Sequence, residues 1–131
     1  MTDSDHLVAA ARDAREHAVA PFSGFKVGAA LRTRDGRVYG GCNVENASYG
    51  LTVCAERVAL LKALSEGERA FDMIAVVADT ADPTPPCGPC RQLLWEYCGD
   101  IPVVLANLQE TKGRHQMRDL LPLPFDARLL K

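Results

Sequence analysis

Two nearly continuous apolar runs constrain the fold of this chain more than any other feature. They are Phe71–Ala78 (FDMIAVVA) and Ile101–Ala106 (IPVVLA). A strand with one face in water needs polar residues at alternate positions, and these runs have almost none. Both are therefore predicted to be strands buried on both faces of a sheet. Pro89–Cys98 lies between them and is predicted to be a helix, because proline is tolerated in a first helical turn.

The N-terminal third of the chain has the pattern of a helix followed by a hairpin. Apolar residues at helical spacing predict a helix over about Asp5–Val19. Phe25–Arg32 and Arg37–Gly41 are predicted to be short strands, and Asp35-Gly36 between them is a strong hairpin signal.

Three further segments complete the predicted elements. A second helix is expected to begin near Thr52 as its N-cap and to run to about Glu66. Gln109–Met117 has the composition of an edge strand. Leu120–Pro124 cannot be a regular helix because of its prolines.

The order of these elements predicts the fold class. A helix and a hairpin followed by alternating strands and helices indicate an α/β fold, a three-layer α/β/α domain around a mixed sheet of about five strands. The length of 131 residues fits one domain spanning residues 1–131.

Charge and hydropathy argue against several functional classes. The chain has 15 basic and 17 acidic residues, a formal net charge of −2, which gives no electrostatic footprint for nucleic acid or an anionic membrane. No apolar run approaches the roughly 20 residues that span a bilayer. The N-terminus lacks the basic start and apolar centre of a signal peptide, so a cytoplasmic location is expected.

The cysteines carry the strongest chemical pattern. There are five, an odd number, which argues against a disulfide framework in a chain without a secretion signal. Cys87 and Cys90 have Cys-x-x-Cys spacing, which alone is compatible with a redox pair or half of a structural zinc site. Cys54 lies at the start of another predicted helix, and Glu56 follows two residues later. Three thiolates and a nearby acid are typical of an open, catalytic zinc site.

A site with one zinc ion and three thiolates has a net negative charge and needs positive groups nearby. Two predicted helix N-termini meet this need in part, because their partial positive charge stabilises thiolates. Arg57 directly follows Glu56, and Arg91 directly follows Cys90. We expect these arginines, Arg57 above all, to support the ligand sulfurs from outside the coordination shell.

Four segments carry a family resemblance. They are PFSGFKVGAAL (21–31), GCNVENASYGLTVCAERVAL (41–60), PCGPCRQLL (86–94) and DLLPLPF (119–125). Together they resemble the cytidine deaminase family, and within it the small, homotetrameric branch whose zinc ligands are all cysteines. The resemblance runs in register from about Ala10 to Phe125. It departs from the common pattern at Phe22, where tyrosine is more usual, and at Pro89, where alanine is common.

The resemblance implies the reaction and the groups that perform it. The reaction would be zinc-dependent hydrolytic deamination of cytidine and 2′-deoxycytidine, with attack of a zinc-bound hydroxide on C4 and release of ammonia, in pyrimidine salvage. Cys54, Cys87 and Cys90 would hold one Zn²⁺ per subunit, and Glu56 would move the protons.

The resemblance also implies the substrate contacts. Asn43 and Glu45 would bind the ribose 3′-hydroxyl, the backbone amide of Ala55 would contact the pyrimidine, and Phe22 would pack on the nucleoside. Ala47, Tyr49 and Phe125 would reach the site of a neighbouring subunit in a homotetramer.

Other interpretations remain open at this level. The enzyme could act on N4-modified cytidines or a blasticidin-type nucleoside, or the zinc could be purely structural. A polynucleotide deaminase would need a basic groove with stacking aromatics, and the net charge argues against one. Cys42 and Cys98 are expected to be small apolar fillers, without a role in the site.

Overall fold

Five strands form one mixed sheet in the computed structural model, which describes residues 2–130. The strands are β1 (Val27–Thr33), β2 (Val38–Cys42), β3 (Phe71–Ala78), β4 (Pro102–Ala106) and β5 (Thr111–Gln116). The helices are α1 (Asp3–Arg15), α2 (Ala55–Ser65), α3 (Gly88–Cys98) and α4 (Met117–Leu120), with 3₁₀ turns at Tyr49–Leu51 and Ala127–Leu130. The expected domain of residues 1–131 has its two terminal residues outside this range.

The sheet has the strand order β2-β1-β3-β4-β5. β3 and β4 are parallel, with Ile74 opposite Val103, and α3 lies on the connection between them. The other three neighbouring pairs are antiparallel. The two most apolar runs thus lie side by side near the middle of the sheet, as their composition predicts.

Helices cover both faces of the sheet and create two apolar cores. On one face α1 buries Leu7, Val8 and Ala11 against a cluster that includes Ala75 and Val104. On the other face α2 and α3 pack against the sheet. The cluster there includes Ala59, Leu60, Leu94, Ile74 and Val103. This arrangement confirms the three-layer α/β/α fold with a mixed five-stranded sheet.

Close approach between α2 and the sheet depends on Gly41 in β2. A Cβ atom at this position would lie 2.5 Å from both the Ala55 carbonyl oxygen and the Ala59 nitrogen. Real Cβ atoms do not come that close to backbone, so any side chain here would push the helix away. Gly41 therefore sets the position of the first turn of α2, which carries Glu56.

Several predicted boundaries were wrong by a few residues. α1 ends at Arg15 and not near Val19, which instead pairs with Val44 in an isolated bridge. α2 begins at Ala55 with Cys54 as its N-cap, and not with Thr52. The reason is a second bridge, between Val44 and Val53, which keeps the chain extended until just before Cys54.

The C-terminal region follows its prediction more closely. β5 forms the edge strand expected within 109–117, and α4 ends at Leu120, where the prolines begin. Among the described residues, no helix is long and apolar enough to cross a membrane.

Candidate metal centre and substrate cavity

Three cysteine sulfurs converge where the N-termini of two helices meet. Cys54 is the N-cap of α2, Cys87 is the N-cap of α3, and Cys90 lies in the first turn of α3. Their Sγ atoms all lie within 4.8 Å of one another, and those of Cys54 and Cys87 are 3.8 Å apart. Cys90 is buried and Cys87 is exposed, so the cluster is closed on one side and open on the other.

The charge properties of this cluster suit a divalent cation. A hydrogen bond from the Cys90 thiol, opposed by burial, lowers the pKa of Cys54 to about 6. The same contact with Cys54, together with burial, raises the pKa of Cys90 far above its ordinary value. One thiolate thus forms easily and the next only with difficulty. Three thiolates require a positive ion between them, and zinc with thiolate ligands fits this donor set.

Arg57 lies beside this cluster, as its sequence position predicts. Its charge contributes to the lowered pKa of Cys54, after the contributions of the other two thiols. Its Nε atom is buried and has no hydrogen-bond partner within residues 2–130. A buried donor without a partner is costly, and an anionic metal–thiolate centre would supply an acceptor.

Arg91 acts on the backbone near the cluster. Its Nε donates to the Pro86 carbonyl at 2.7 Å, and its Nη1 donates to the Leu120 carbonyl at 2.9 Å. These bonds join the residue before Cys87 to the end of α4. Arg91 therefore holds the Cys87 backbone in place.

Glu56 lies in the first turn of α2 and is 5% exposed. Burial raises the pKa of this carboxyl to about 7, and the nearby Cys54 charge adds to the effect. A carboxyl with a pKa near neutrality can both accept and donate a proton, which is the property that general acid–base catalysis needs.

One cavity of about 310 Å³ brings these groups together with apolar and polar walls. The reactive side chains that line the cavity are those of Cys54, Cys87 and Glu56, and Ala55 lies beside them. The other apolar lining residues are Phe25, Val27, Val76 and Pro85, and the other polar ones are Ser23, Asn43, Glu45, Thr52 and Thr84. A mostly apolar cavity with a few convergent polar groups is typical of a small-molecule site.

Asn43 is a buried amide on one wall of this cavity. Its Oδ1 accepts from the Val27 nitrogen at 2.9 Å, and its Nδ2 donates to the Phe25 carbonyl at 2.8 Å. These bonds leave one Nδ2 hydrogen free. Asn43 therefore supports the start of β1 and still has a donor for a ligand.

Glu45 is held in a similar way. Its Oε1 accepts from the backbone nitrogens of Phe22 at 3.0 Å and Ser23 at 3.1 Å, and its Oε2 accepts from the Ser23 hydroxyl. These bonds, led by that from the Ser23 hydroxyl, lower the pKa of the carboxyl, so it is an anion at neutral pH. A carboxylate has room for about four hydrogen bonds, so Glu45 can accept one more.

The remaining predicted contact residues lie outside this cavity. Phe22 and Tyr49 line an adjoining cavity, where their rings meet edge to face with centroids 6.3 Å apart. Phe125 lies on the C-terminal tail and is 59% exposed, with its carbonyl bound by Gln92. Ala47 is also absent from the cavity wall. Whether these residues complete a site from a neighbouring subunit stays a prediction.

Phe25 and Thr84 are among the cavity residues that the sequence analysis did not assign to the site. Phe25 is separated from Phe22 by a turn in which Gly24 has φ +68°, so the two rings point into different cavities. The Ser23-Gly24 turn was the sequence signal that could have separated Phe25 from Phe22. No sequence signal indicated Thr84, because the path of its proline-rich loop depends on distant contacts. Cys98 lies outside the cavity, and burial raises its pKa to about 12, in agreement with an inert filler.

Comparison with known proteins agrees with this geometry. The chain is 54% identical over 126 residues to a cytidine deaminase of Halalkalibacterium halodurans, covering 95% of this chain and 96% of that protein. It is 49% identical over 124 residues to a cytidine deaminase of Sporosarcina psychrophila, covering 94% and 91%. The crystal structure of cytidine deaminase from Burkholderia pseudomallei superposes with a TM-score of 0.91 at 53% identity, over 95% of this chain and 100% of that one.

The family model described as "Cytidine and deoxycytidylate deaminase zinc-binding region" matches residues 1–106, which include the three thiols and Glu56. The match covers most of the chain, and the convergent thiols supply the donor set that a zinc-binding region requires. The chain therefore belongs to the cytidine and deoxycytidylate deaminase family.

Proposed function

We propose that this chain is a zinc-dependent cytidine deaminase that hydrolyses cytidine and 2′-deoxycytidine to the corresponding uridines and ammonia. The observation that carries the proposal is the cluster of three sulfurs within 4.8 Å beside the buried Glu56, in one cavity of nucleoside-binding size. Family membership and the relatives named cytidine deaminase support the same substrate class.

The proposed chemistry divides between the metal and one carboxyl. Cys54, Cys87 and Cys90 hold zinc, which acts when bound as a Lewis acid that makes water nucleophilic at neutral pH. Glu56 takes a proton from the attacking water and delivers it to N3 of the base. It then takes the remaining proton of that water, from the hydroxyl now bonded to C4, and gives it to the departing amino group, so that ammonia leaves and the C4 oxo group forms. A pKa near 7 suits this carboxyl to both directions of transfer.

The walls of the cavity suit a nucleoside. Phe25 places an aromatic side chain in the cavity wall. The backbone amide of Ala55 lies at the start of α2, where amides are free to donate. Asn43 retains a donor and Glu45 an acceptor, which together match a sugar hydroxyl. A contact with the 3′-hydroxyl is common to ribose and deoxyribose, so both nucleosides fit.

The assembled form is part of the proposal. We place Ala47, Tyr49 and Phe125 at the sites of neighbouring subunits of a homotetramer, each subunit being one domain over residues 1–131. The exposed side chains of Tyr49 and Phe125, at 76% and 59%, support an apolar contact there. The proposal includes a cytoplasmic location, where reducing conditions keep thiols available to a metal, and a role in pyrimidine salvage.

An ultraviolet assay of cytidine turnover tests the proposal directly. The purified protein should convert cytidine to uridine, a chelator that removes zinc should abolish the conversion, and added zinc should restore it. Turnover of an N4-modified cytidine or a blasticidin-type nucleoside without turnover of cytidine would overturn the choice of substrate.

The role of Glu56 has its own test. Glu56→Gln should lower kcat by about 10²- to 10⁴-fold while metal analysis still finds one zinc per subunit. Glu66→Gln, at the exposed opposite end of α2, is the matched control and should keep full turnover. A zinc-loaded Glu56→Gln protein with undiminished turnover would show that Glu56 is not the proton carrier.

A further inference from the structure

The loop between β3 and α3 forms the wall of the cavity next to the thiol cluster. It leaves β3 at Ala78 and reaches Cys87, and Thr84 and Pro85 line the cavity on the way. Thr84 is three residues before Cys87, and it lines the same cavity as Cys87 and Glu56. This hydroxyl is the polar side chain that the loop contributes to the cavity wall.

The proton of the Thr84 hydroxyl is directed away from the cavity. The Thr80 hydroxyl donates to the Asp82 carbonyl oxygen at 2.6 Å, and a carbonyl can only accept. Thr80 has no second proton, so Thr84 must be the donor in the 2.9 Å contact between the two hydroxyls. The Thr84 oxygen can therefore only accept a hydrogen bond from a ligand in the cavity.

This orientation is anchored outside the site by Asn107, a buried amide 8% exposed. Its Nδ2 donates to the Thr80 carbonyl at 3.1 Å, and its Oδ1 accepts from the nitrogens of Gln109 and Glu110, each at 2.9 Å. Arg12 of α1 binds the Asn107 carbonyl at 3.0 Å. The turn after β4 thus holds Thr80 in place, and through Thr80 it holds the direction of the Thr84 proton.

We propose that Thr84 is a specificity-determining residue, whose hydroxyl presents only an acceptor to the cavity and thereby favours an amino group over an oxo group on C4. The inference rests on the proposed function and deepens it. The amino group of cytidine has hydrogens to donate to Thr84. The oxo group of uridine is an acceptor and would face a second acceptor, so the product binds less well than the substrate.

The size of the effect is that of one neutral hydrogen bond. A cytidine-to-uridine preference of about 3- to 10-fold should depend on Thr84. Dissociation constants of both nucleosides can be measured by calorimetry in a zinc-loaded Glu56→Gln background, where cytidine turnover should be about 10²- to 10⁴-fold slower than in the wild type. The ratio of the two dissociation constants tests the specificity role of Thr84, because a purely structural role would change both constants by the same factor.

Two variants of Thr84 form a matched pair. Thr84→Val has nearly the same shape and lacks the acceptor, so cytidine should bind about 3- to 10-fold more weakly while uridine binding stays constant or improves. Thr84→Ser keeps a hydroxyl and should restore the preference. Equal weakening of both nucleosides by Thr84→Val would overturn the proposal.

Thr80→Val provides an independent test without changing the cavity wall. It removes the oxygen that accepts the Thr84 proton, which can then turn toward the cavity and donate to the oxo group. Uridine should bind more tightly and the preference should fall. An unchanged ratio, or equal weakening of both ligands, would overturn the proposal.

The outcomes separate this inference from the proposed function. Absence of cytidine turnover by the wild-type protein would refute the deaminase proposal itself. Normal turnover together with an unchanged binding ratio in both valine variants would refute only the role of Thr84. Ser65→Ala, which removes an exposed hydroxyl at the end of α2, is the control for loss of a hydroxyl elsewhere.

Discussion

Phe22 and Phe25 are three residues apart in one turn, and their rings lie in different cavities. Phe25 lines the same cavity as Cys54, Cys87 and Glu56, whereas Phe22 packs edge to face on Tyr49. Glu45 fixes the turn between them by accepting two backbone hydrogen bonds. A single carboxylate thus determines which aromatic ring is available to a ligand in the cavity of its own chain.

Replacing the two rings separately tests this assignment. Phe25→Ala should raise KM for cytidine on the order of tenfold, because it removes most of an aromatic wall from the cavity. Phe22→Ala is the matched control and should raise KM less, since its ring does not line this cavity. Steady-state kinetics of both variants with cytidine is the measurement. A larger effect at Phe22 would place that ring, and not Phe25, on the nucleoside.

At the scale of secondary structure, the position of α2 determines the geometry of the site. Cys54 and Glu56 lie at its first turn, and the helix approaches β2 closely over Gly41. The neighbouring Gly40 faces α1, and a Cβ there would meet only the Ala14 Cβ at 3.4 Å and the Ala29 carbonyl at 3.9 Å. Gly40 therefore has room for a Cβ atom, whereas the adjacent Gly41 does not.

Gly41→Ala should both destabilise the protein and weaken zinc binding. Overpacking of this kind costs about 1 to 3 kcal/mol, and displacement of α2 moves Cys54 away from the other two sulfurs. Thermal unfolding and metal analysis are the measurements. Gly40→Ala should leave both nearly unchanged, and an equal zinc loss in the two variants would contradict the proposed role of Gly41.

The C-terminal tail is joined to α3 by a buried carboxylate. Asp126 has an 8% exposed side chain and accepts from the Trp95 Nε1 at 2.9 Å and the Arg128 Nε at 2.9 Å. The bonds from Arg128, followed by that from Trp95, hold the pKa of Asp126 well below its ordinary value. The tail that carries Phe125 is therefore attached to the helix that carries Cys87 and Cys90.

This carboxylate makes stability depend on pH in a definite direction. A group whose pKa is lowered in the folded state stabilises the protein above its unfolded pKa of about 3.9, and the contribution is lost as pH falls toward the folded value. Asp126→Asn should therefore be less stable than the wild type at pH 7, and the difference should shrink in acid.

Urea unfolding at several pH values, at one protein concentration, measures this difference. Asp119→Asn, at an exposed position in α4, is the control and should follow the wild type throughout. A difference for Asp126→Asn that stayed constant from pH 7 into acid would contradict the assignment.

At the scale of the whole molecule, large apolar side chains stay exposed on the single chain. Leu123 is 100% exposed, Tyr49 is 76% exposed and Leu51 is 67% exposed. Phe125, two positions after Leu123, is also on the surface. A small domain has a high ratio of surface to volume and gains stability from association. These side chains are the part of the surface that the proposed tetramer would cover.

Mixing two impaired variants tests whether subunits share sites. Glu56→Gln impairs the subunit that holds the substrate, and Phe125→Ala impairs the neighbour that would reach into the site. After subunit exchange, some mixed sites have both native residues, so activity should exceed the mean of the separate proteins. Mass spectrometry verifies exchange, and activity equal to the mean would contradict shared sites. Glu56→Gln mixed with Cys54→Ser is the control, because both defects lie in the same site and no gain is expected.

Local patterns in the sequence determined much of this protein. The apolar runs of β3 and β4 identified the buried strands, because burial on both faces leaves no place for polar residues. Cys54 with Glu56, and Cys87 with Cys90, have spacings that place each pair within one helical turn. The α/β/α fold, the zinc donor set and the family could all be predicted from such short-range signals.

Tertiary structure alone decided how distant segments meet. Cys54 and Cys87 are 33 positions apart, and the sheet brings their sulfurs to 3.8 Å. The Val44–Val53 bridge moved the start of α2 to Cys54. Asn107 orients the loop that places Thr84 in the cavity wall. Such contacts depend on packing between elements remote in the chain, and no local periodicity or capping pattern encodes them.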